Sequence, residues 1–470
     1  MQRHVHATQA PNHFAGSLAM RLTATDGRAP NMVAARPVRS ADLNGVPHSG
    51  TVPAGGADIG TSWSTIGTRA YAVFAFVALS SAFYFLFTGA ADPRSAVQNT
   101  AISNPAYILM WLTLIAITGL MLARRVMIEG LPRGIGLLAV FAFYLFASTI
   151  WSATPGRTLL YGTMLIANFA VGATLALYVP PRRMLTILAW TTMALCLTSL
   201  GLLLVAKGVV SSPRYGGAWL TPVELHGVFG HKSDAGYYFA LASLLIGHAP
   251  GMRLGLAMRG LLVGVTLFAI LLANSATALV AVIVLHVLLV LSQLPRIGNV
   301  LLVSFAAFAV LVAVALPFID IGTLVGVVGR EPSLTGRVPI WKMAMTFIAE
   351  RPVFGHGYYA FFDLDPFSPV WELWKIDPWF RTPHFHNSSL DVIVHLGFVG
   401  WLFYMAMLAM ALAVAANPTI EPRTRQLLLA ALTLFVVSTG FDFTFMKHIT
   451  FSTTLLSYCF FAAQRDYRAG

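Results

Sequence analysis

The stretch TPHFHNSSLDVIVHLGFVGW, residues Thr382–Trp401, joins a polar segment to the start of a long apolar run. Its first half carries two histidines, an asparagine and two serines, whereas its second half has the composition of a membrane helix. Polar groups beside lipid are costly unless hydrogen bonds or a ligand satisfy them. The stretch therefore predicts a membrane-spanning helix with a polar segment at its N-terminal end, and this polar segment has a structural or functional role.

The composition of the whole chain places this helix in a larger membrane domain. The protein has 470 residues, of which 57% are hydrophobic and 10% charged, and its mean hydropathy is +0.73. A soluble domain carries about a quarter charged residues, and apolar runs of about 20 residues, enough to cross a bilayer, recur along most of the chain. We therefore predict an all-α polytopic membrane protein. Cys196 and Cys459 lie inside apolar runs, so no disulfide framework is predicted.

The apolar runs predict about twelve membrane spans. They cover approximately residues 70–88, 105–123, 134–152, 158–178, 184–206, 234–249, 256–273, 277–294, 299–318, 388–415, 425–441 and 448–464. Arginines concentrate in the short links after even-numbered spans, and such an excess marks the cytoplasmic side. These arginines are Arg124, Arg125, Arg133, Arg182, Arg183, Arg253, Arg259, Arg296, Arg423 and Arg425. Both termini are therefore predicted to be cytoplasmic.

An N-terminal tail and two long links lie outside the predicted spans. Residues 1–68 are rich in Ala, Gly, Pro, Ser and Thr and have no sustained apolar period. Such a segment buries too little surface to fold alone, so we predict a disordered cytoplasmic tail followed by a transmembrane domain over residues 69–466. The outer links 207–233 and 319–387 are much longer than the others. Because loops of that length are usually functional, we predict a structured cap on the outer face.

The larger outer loop contains a predicted amphipathic helix in the segment LTGRVPIWKMAMTFIAE, residues 334–350. Its aromatic side chains have two readings: they stack on sugar rings, or they form an interfacial belt or the loop's own core, which is the favoured reading. These residues are Tyr358, Tyr359, Trp371, Trp374 and Trp379.

Basic residues on the predicted outer face run against the positive-inside pattern. They are Arg214, Lys232, Arg337, Lys342, Arg351 and Arg381. Lys232 follows His231 at the start of the sixth span, where Ser233 and Asp234 are predicted N-caps, and Arg337 starts the predicted loop helix. Helix N-termini attract anions, and a guanidinium suits bidentate phosphate binding. The two settings suggest a pyrophosphate clamp, with a solvated basic surface as the alternative.

His384 and His386 are the polar residues of the opening stretch that helix-start chemistry does not explain. Asn387 or Ser388 as the N-cap, and Asp391 in the first turn, are ordinary. A histidine at the mouth of a helix bundle titrates near neutral pH and can act as a general base toward a hydroxyl. The alternative is a histidine that anchors the loop to the bundle by hydrogen bonds.

The sequence suggests two further roles for its histidines, a core hydrogen bond and a metal site. His395 lies inside the apolar helix and is predicted to be a hydrogen-bonded core residue. A metal pair at His384 and His386 is only weakly indicated, because the sequence shows no carboxylate cluster or third ligand. We therefore predict no metal and no cofactor.

Five segments, taken in order, carry a resemblance to a known family. They are WSATPGRTLL, HGVFGHKSDAG, NSATALV, LTGRVPIWKMA…ERPVFGHGYYAFF and HFHNSSLDVIVHLGFVGW. Through them, residues 134–415 resemble the O-antigen ligase/polymerase (Wzy-type) family of bacterial membrane glycosyltransferases. The His-Lys pair resembles the branch that polymerises exopolysaccharide repeat units, such as the succinoglycan-type polymerases.

The resemblance implies a GT-C-like fold and a reaction on the periplasmic face of the bacterial inner membrane. Proteins of this family move a glycan from undecaprenyl pyrophosphate to an acceptor sugar hydroxyl, with inversion and without a metal. The implied partners are an undecaprenyl-pyrophosphate-linked oligosaccharide, an acceptor glycan, the lipid bilayer and a chain-length co-polymerase, and no nucleic acid.

The resemblance also assigns roles by motif. Arg337 of the Gly-Arg-x-x-x-Trp segment and His386 of the His-Asn segment are the implied catalytic residues. Implied binders of pyrophosphate or glycan are Lys232, Arg214, His231, Asn387 and Trp341. The chain departs from the family pattern where Ser233 replaces an Asn, His226 replaces a basic residue, and residues 274–277 lack an arginine. These departures concern the phosphate clamp and leave Arg337 and His386 untouched.

The leading prediction is a polymerase of lipid-linked glycan repeat units for an exopolysaccharide or capsule. Within the family, the alternative is an O-antigen ligase that transfers finished glycan to lipid A core. A transporter or flippase of lipid-linked oligosaccharide is the reading from another class, but the chain shows no convincing repeat and its ionisable residues gather at the outer rim. A structural scaffold for polysaccharide export would leave the histidines and arginines without a role.

Overall fold

The computed structural model describes residues 65–83, 86, 104–213, 223–294, 298–319, 337–362, 370–371 and 384–467. Most of the predicted N-terminal tail lies outside this part of the chain. So do four predicted residues of the outer loops, Arg214, Trp374, Trp379 and Arg381.

Fourteen α-helices run through the described residues. They are α1 Thr65–Leu79, α2 Pro105–Glu129, α3 Ile135–Ala147, α4 Pro155–Tyr178, α5 Pro181–Val205, α6 Lys207–Val210, α7 Lys232–His248, α8 Leu256–Leu272, α9 Ala276–Leu291, α10 Gly298–Ala315, α11 Arg337–Glu350, α12 Ser388–Leu412, α13 Pro422–Thr439 and α14 Phe451–Gln464. Short 3-10 turns follow α3, α10 and α12, and the strands β1, Ser211–Pro213, and β2, Val223–Leu225, pair antiparallel.

Proline sets the start of several of these helices. Pro105, Pro155, Pro181 and Pro422 each occupy the first helical position. Proline fits there because its fixed φ suits a helix and its missing N–H would have no helical partner anyway. The sequence therefore marks four of the helix boundaries directly.

Five helices are long and apolar enough to cross a membrane: α2, α4, α5, and α10 and α12 with their 3-10 extensions. The shorter helices α1, α3, α8 and α9 are apolar as well. The prediction of a mainly helical protein with several membrane-crossing helices is confirmed. Each predicted span overlaps one helix, but the count of about twelve and the side on which each link lies stay predictions.

Three helices form the buried centre of the bundle. α7 packs against α5 and α8, α13 packs against α10 and α9, and α14 packs against α4 and α12. Most residues of α7, α13 and α14 are buried by these neighbours. The start of α7 and the link between α13 and α14 therefore reach the surface from the middle of the protein.

The predicted helix of the larger outer loop is present as α11. Its buried residues Ile340, Trp341, Ala344 and Phe347 recur at helical spacing along one face. With Phe361, Phe362, Phe385, Leu390 and Val394, among others, they form a second hydrophobic core. α11 is thus packed on the first turns of α12, which fixes the position of Arg337 relative to the histidine loop.

Helix α12 is broken at Gly397, where φ is +64° and ψ is −172°. The segment 352–357 lies against the break and replaces the lost helical hydrogen bonds. These replacement bonds are His356 N to Val394 O (2.9 Å), Gly357 N to His395 O (2.9 Å), Phe398 N to Pro352 O (2.8 Å) and Val399 N to Val353 O (3.3 Å). A break in an apolar helix is tolerated only where other protein groups satisfy the freed backbone, and this segment does so.

We predict that Gly397→Ala lowers the thermal unfolding temperature of the purified protein. A Cβ at this position would clash with the Val353 carbonyl oxygen, and the positive φ alone costs about 1–3 kcal/mol for a residue other than glycine. Gly264→Ala in α8 is the control, because a Cβ there meets nothing within 4 Å. Equal melting of the two variants would contradict the role given to Gly397.

Candidate active site

Four separate elements bring polar side chains together at one place. The loop before α12 supplies His384 and His386, the link between α13 and α14 supplies Asp442, the start of α11 supplies Arg337, and the residue before α7 supplies His231. His384 Nε2 lies 3.3 Å from Asp442 Oδ1, and the rings of His384 and His386 are 4.1 Å apart between centroids. Arg337 and His231 lie close enough to alter the pKa of His386.

The backbone of His386 adopts a left-handed conformation, with φ +56°. This region is uncommon for residues other than glycine and costs about 1–3 kcal/mol, so it persists only where the surroundings impose it. Here the His386 N–H donates to His384 Nδ1 (3.1 Å) and the Phe385 N–H donates to Asp391 Oδ1 (2.9 Å). These two bonds curl the loop back on itself and turn the His386 ring toward Asp442.

Asn387 caps α12, as predicted, and its side chain also binds the ends of two neighbouring helices. Its Oδ1 accepts from the N–H groups of Ser389 (3.0 Å) and Leu390 (3.1 Å). Its Nδ2 donates to the carbonyls of Ala313 (2.9 Å) and Gly440 (3.4 Å), at the ends of α10 and α13. The side chain is fully buried, so this single residue ties three helices together directly beside His386.

Ser388 connects the histidine loop to the link that carries Asp442. Its hydroxyl donates to the Asp442 carbonyl (3.1 Å) and accepts from the Thr444 N–H (2.8 Å). The Asp442 carboxylate in turn accepts from the Phe443 N–H (2.8 Å). The position of Asp442 beside His384 is therefore fixed by hydrogen bonds on both sides.

Arg337 is the first residue of α11, and its guanidinium is half-buried. Its Cζ lies 5.9 Å from the centre of the Phe441 ring, and its Nε has no hydrogen-bond partner among the described residues. One turn along the helix, Trp341 is buried and donates from Nε1 to the Phe385 carbonyl (3.0 Å). The buried Nε of Arg337 thus lacks a partner among the described residues, while Trp341 holds α11 to the histidine loop.

The protonation states of the three central residues follow from their contacts. Burial lowers the pKa of His386 to about 4, a shift that Asp442 opposes and Arg337 reinforces. Burial, with the neighbouring His386, also lowers the pKa of His384 well below its usual value. Burial would raise the pKa of Asp442, but His384, His386 and Lys447 hold it below its ordinary range. At neutral pH the site therefore holds an ionised carboxylate beside two neutral histidines.

The hydrogen bonds also fix which ring nitrogens carry protons. His384 Nδ1 accepts from a backbone N–H, so its proton is on Nε2, which faces Asp442 Oδ1. His386 Nδ1 has no hydrogen-bond partner among the described residues. His386 is therefore the histidine of this pair with a buried ring nitrogen that no described residue satisfies.

His231 and Lys232 are neighbours in the sequence but have different partners in the structure. His231 caps α7, with Nδ1 accepting from the Ser233 N–H (3.2 Å), so the prediction that Ser233 or Asp234 forms this cap is wrong. Lys232 Nζ lies 2.7 Å from Oε1 of Glu224 in β2, a buried carboxylate. The charge of Lys232 is therefore already matched within the protein.

Two residues of the site were not among the sequence-based candidates. Asp442 and Lys447 lie in the short link between α13 and α14, and both influence the pKa of His386. A signal for Lys447 was present in the sequence, since this link is predicted to face outward and a lysine there departs from the positive-inside pattern. The pairing of Asp442 with His384 had no such signal, because 58 residues separate them.

The remaining predicted residues belong to the protein interior. Tyr358 is buried and donates to the Met446 carbonyl (2.9 Å), and Trp371 packs against the second core, as the favoured reading of these aromatics predicts. His395 is fully buried among the rings of Tyr358, Tyr359 and others. Neither of its ring nitrogens has a hydrogen-bond partner in the described part of the chain, so the predicted core hydrogen bond is not found there.

Nitrogen and oxygen atoms of His384, His386 and Asp442 lie within 4.8 Å of one another, a separation that a metal ion can bridge. The surroundings do not fit a divalent cation well. The set has a single carboxylate, His384 already directs its N–H to that carboxylate, and Arg337 and Lys447 are positive neighbours. The donor set suits a hydrogen-bonded proton-transfer site better.

Two comparisons with known proteins bear on the family that this chain resembles. Residues 261–405, which include Arg337, Trp341 and His386, match the family model described as O-Antigen ligase. The exopolysaccharide production protein ExoQ of Rhizobium meliloti (strain 1021) is 26% identical over 285 residues, which are 58% of this chain and 64% of ExoQ. The aligned part is thus less than two thirds of that relative. The predicted family resemblance is confirmed, and Asp442 and Lys447 lie beyond the matched segment.

We predict that Asn387→Ala is more destabilising than the loss of an ordinary cap. Removing the cap costs about 1 kcal/mol, and leaving two buried carbonyls without a donor adds about 1–3 kcal/mol. Asn104→Ala is the matched control, because Asn104 also caps a helix, through Ala106 N (2.9 Å) and Tyr107 N (3.4 Å), but at a more exposed position. Thermal unfolding should rank Asn387→Ala well below Asn104→Ala, and the reverse order would count against the anchoring role.

Proposed function

We propose that this protein, part of which matches the O-Antigen ligase family model, is a polymerase. It would join undecaprenyl-pyrophosphate-linked oligosaccharide repeat units into an exopolysaccharide or capsule. The observation that carries this proposal is the left-handed turn at His386, which sets its ring beside the carboxylate of Asp442 and within the electrostatic influence of Arg337. The name of ExoQ, an exopolysaccharide production protein, supports the product class.

In the proposed reaction, the neutral His386 takes the proton of the acceptor hydroxyl. The acceptor oxygen then forms a bond to the anomeric carbon while the bond from that carbon to the phosphate oxygen breaks. The electron pair leaves with the pyrophosphate, so negative charge grows on its oxygens. A fixed cation at that position stabilises the transition state more than the ground state, and the half-buried guanidinium of Arg337 is proposed for this role.

Asp442 supports the same step from the other side. Its negative charge favours the imidazolium that forms when His386 accepts the proton, since it opposes the lowering of that pKa. His384 holds the carboxylate in place through its Nε2–H. Lys447 adds a second cation near the proposed pyrophosphate.

The remaining predicted binding residues are proposed to act around this centre. His231 lies beside it, and Trp341 and Asn387 position the loop that carries His386. Lys232 is proposed to contact the glycan donor while its ammonium stays paired with the Glu224 carboxylate. Arg214, outside the described residues, stays the proposed second arginine of the clamp.

The proposed setting is the bacterial inner membrane, with both termini cytoplasmic and the reaction at the periplasmic face. The acceptor is a glycan, and a chain-length co-polymerase is the proposed protein partner. The second candidate function is an O-antigen ligase that transfers glycan to lipid A core, which the description of the matching family favours. The product distinguishes the two, because only a polymerase makes a ladder of lengthening lipid-linked glycan.

We predict that His386→Ala and Arg337→Ala abolish the ladder made from the lipid-linked repeat unit in proteoliposomes. Loss of a general base typically lowers a rate by about 10²–10⁴-fold, and loss of a fixed charge-stabilising donor by about 10²–10³-fold. We expect a chelator to leave wild-type activity unchanged, and Arg337→Lys to recover only part of the rate, because a lysine lacks the forked donors of arginine.

Arg351→Ala is the matched control for these variants. Arg351 follows α11 but is exposed and donates to the Trp151 carbonyl (3.1 Å), away from the histidines. It should keep nearly full activity at equal expression. Full activity in both His386→Ala and Arg337→Ala would contradict the proposed site. A single transfer to lipid A core without a ladder would favour the ligase.

The pH dependence of kcat/KM gives an independent prediction. Burial lowers the pKa of His386 to about 4, and the neutral ring is the active form, so activity is lost only as the pH falls through that value. We expect a level rate from pH 7 to pH 5 and a decline below it, measured at low donor concentration. A half-loss near pH 6.5, the value of a solvated histidine, would contradict the environment described for His386.

A further inference from the structure

A polar cavity adjoins the candidate active site. Its wall is formed by the ends of α1 and α13, the start of α7, the link between α13 and α14, and the start of α14. Its empty space, counted up to the open mouth, is about 520 Å³, which leaves room for one sugar ring. Asp442 belongs both to this wall and to the cluster with His384 and His386. The cavity therefore meets the reacting centre at Asp442, although neither histidine is part of its wall.

The Asp442 carboxylate uses one of its two oxygens for the protein. Oδ1 faces His384 Nε2 (3.3 Å) and accepts from the Phe443 N–H (2.8 Å). Within the described part of the chain, no hydrogen bond reaches Oδ2. This second oxygen therefore remains an acceptor for a group that enters the cavity.

The serine hydroxyls of the wall are also acceptors, because each of them donates its proton to a nearby backbone carbonyl. These bonds run from Ser80 to Val77 O (3.2 Å), from Ser438 to Phe435 O (2.7 Å) and from Ser452 to Thr444 O (2.8 Å). A hydroxyl has one proton to give and two lone pairs, so the serine oxygens can only accept from a ligand. The wall thus suits a ligand that is rich in hydrogen-bond donors.

The charges around the cavity exclude an anion as that ligand. Asp234 has an accessible side chain, yet the protein around it strongly desolvates it, so its accessible surface faces the cavity. Asp234 interacts electrostatically with both Asp442 and Lys447. Two acidic side chains against one lysine repel a phosphate. A neutral molecule with several hydroxyl groups fits both the charge and the acceptors of the wall.

We infer that this cavity binds one uncharged sugar unit of the glycan, beside the bond that forms or breaks. The inference rests on the proposed function and divides the substrate between two sets of groups. Sugar hydroxyls donate to Asp442 Oδ2, to Asp234 and to the serine oxygens, and the Lys447 ammonium donates to a sugar oxygen. The pyrophosphate is held apart from this acidic wall, by Arg337. The sugar unit belongs either to the donor or to the acceptor, which share this chemistry.

A purely structural reading of the cavity makes different predictions. Polar space between helix ends is commonly filled by ordered water, and an acidic residue in the first turn of α7 stabilises that helix through its dipole. On this reading, loss of Asp234 lowers stability slightly and leaves the binding of sugar unchanged.

The test measures the binding of two probes to the purified full-length protein by isothermal titration calorimetry. One probe is the oligosaccharide released from the lipid-linked repeat unit by mild acid, and the other is undecaprenyl pyrophosphate. We expect Asp234→Ala to raise the Kd of the oligosaccharide at least ~tenfold, the effect of losing a hydrogen bond to a charged group, and to leave undecaprenyl pyrophosphate unaffected. Asp234→Asn should have a smaller effect, because its amide oxygen still accepts. Arg337→Ala should weaken only undecaprenyl pyrophosphate.

A second pair of variants keeps the test valid if the Asp234 variants unfold. Ser81 lines the cavity near its mouth side of α1 and has a left-handed backbone, φ +56°, which both replacements share. Ser81→Leu adds volume to the wall and should abolish binding of the oligosaccharide, whereas Ser81→Ala should keep it. Thermal unfolding of every variant identifies those that are folded.

Two altered oligosaccharides identify the source of the sugar unit. Borohydride opens the ring at the reducing end, and loss of binding would assign the cavity to the donor. An exoglycosidase removes the sugar at the non-reducing end, and loss of binding would assign the cavity to the acceptor. A loss with neither, or unchanged binding in both Asp234→Ala and Ser81→Leu, would overturn the sugar site while the effect of Arg337→Ala still supports the proposed function. Equal binding of undecaprenyl pyrophosphate to wild type and Arg337→Ala would instead contradict the proposed function.

Discussion

The start of α12 is the point on which the rest of this structure depends. An apolar helix begins there directly beside a polar site, and its first N–H groups need partners that are not water. Asn387 satisfies them with its carbonyl oxygen and uses its amide to hold the ends of α10 and α13. Since the end of α13 leads into the link with Asp442, the same side chain that caps α12 also helps to bring the carboxylate to the histidines. Fold and candidate site are fixed by one set of hydrogen bonds.

Burial then decides the chemistry of the site. Removing His386 from water favours its neutral form, which is the form that can accept a proton. The same burial would be unfavourable for Arg337 and Asp442 if either stood alone, but Asp442 offsets it for Arg337, and His384, His386 and Lys447 offset it for Asp442. The protein thus keeps a neutral base, a cation and a carboxylate within a small volume. Such an arrangement suits the proposed glycosyl transfer, in which charge appears on the leaving pyrophosphate.

The sequence predicted the parts of this arrangement that local chemistry controls. Arg337 at the start of a loop helix and His386 before a capped apolar helix were both identified from neighbouring residues. The partner of His384, Asp442, could not be predicted, because helix packing alone joins segments so distant in the chain. The pairing of Lys232 with Glu224 was missed for another reason: the two are near in the sequence, but the sequence does not show that β2 is buried beside the start of α7. The break at Gly397 was also invisible, since a glycine within an apolar run does not reveal that another segment will replace its hydrogen bonds.

The most direct measurement is a cryo-EM structure of the His386→Ala protein with the lipid-linked repeat unit bound. The proposal predicts that the pyrophosphate lies within hydrogen-bonding distance of the Arg337 guanidinium, about 3 Å, and that the anomeric carbon faces the vacated side-chain position of residue 386. A pyrophosphate bound at the basic links that are predicted to be cytoplasmic, with Arg337 far from any phosphate, would contradict the central claim.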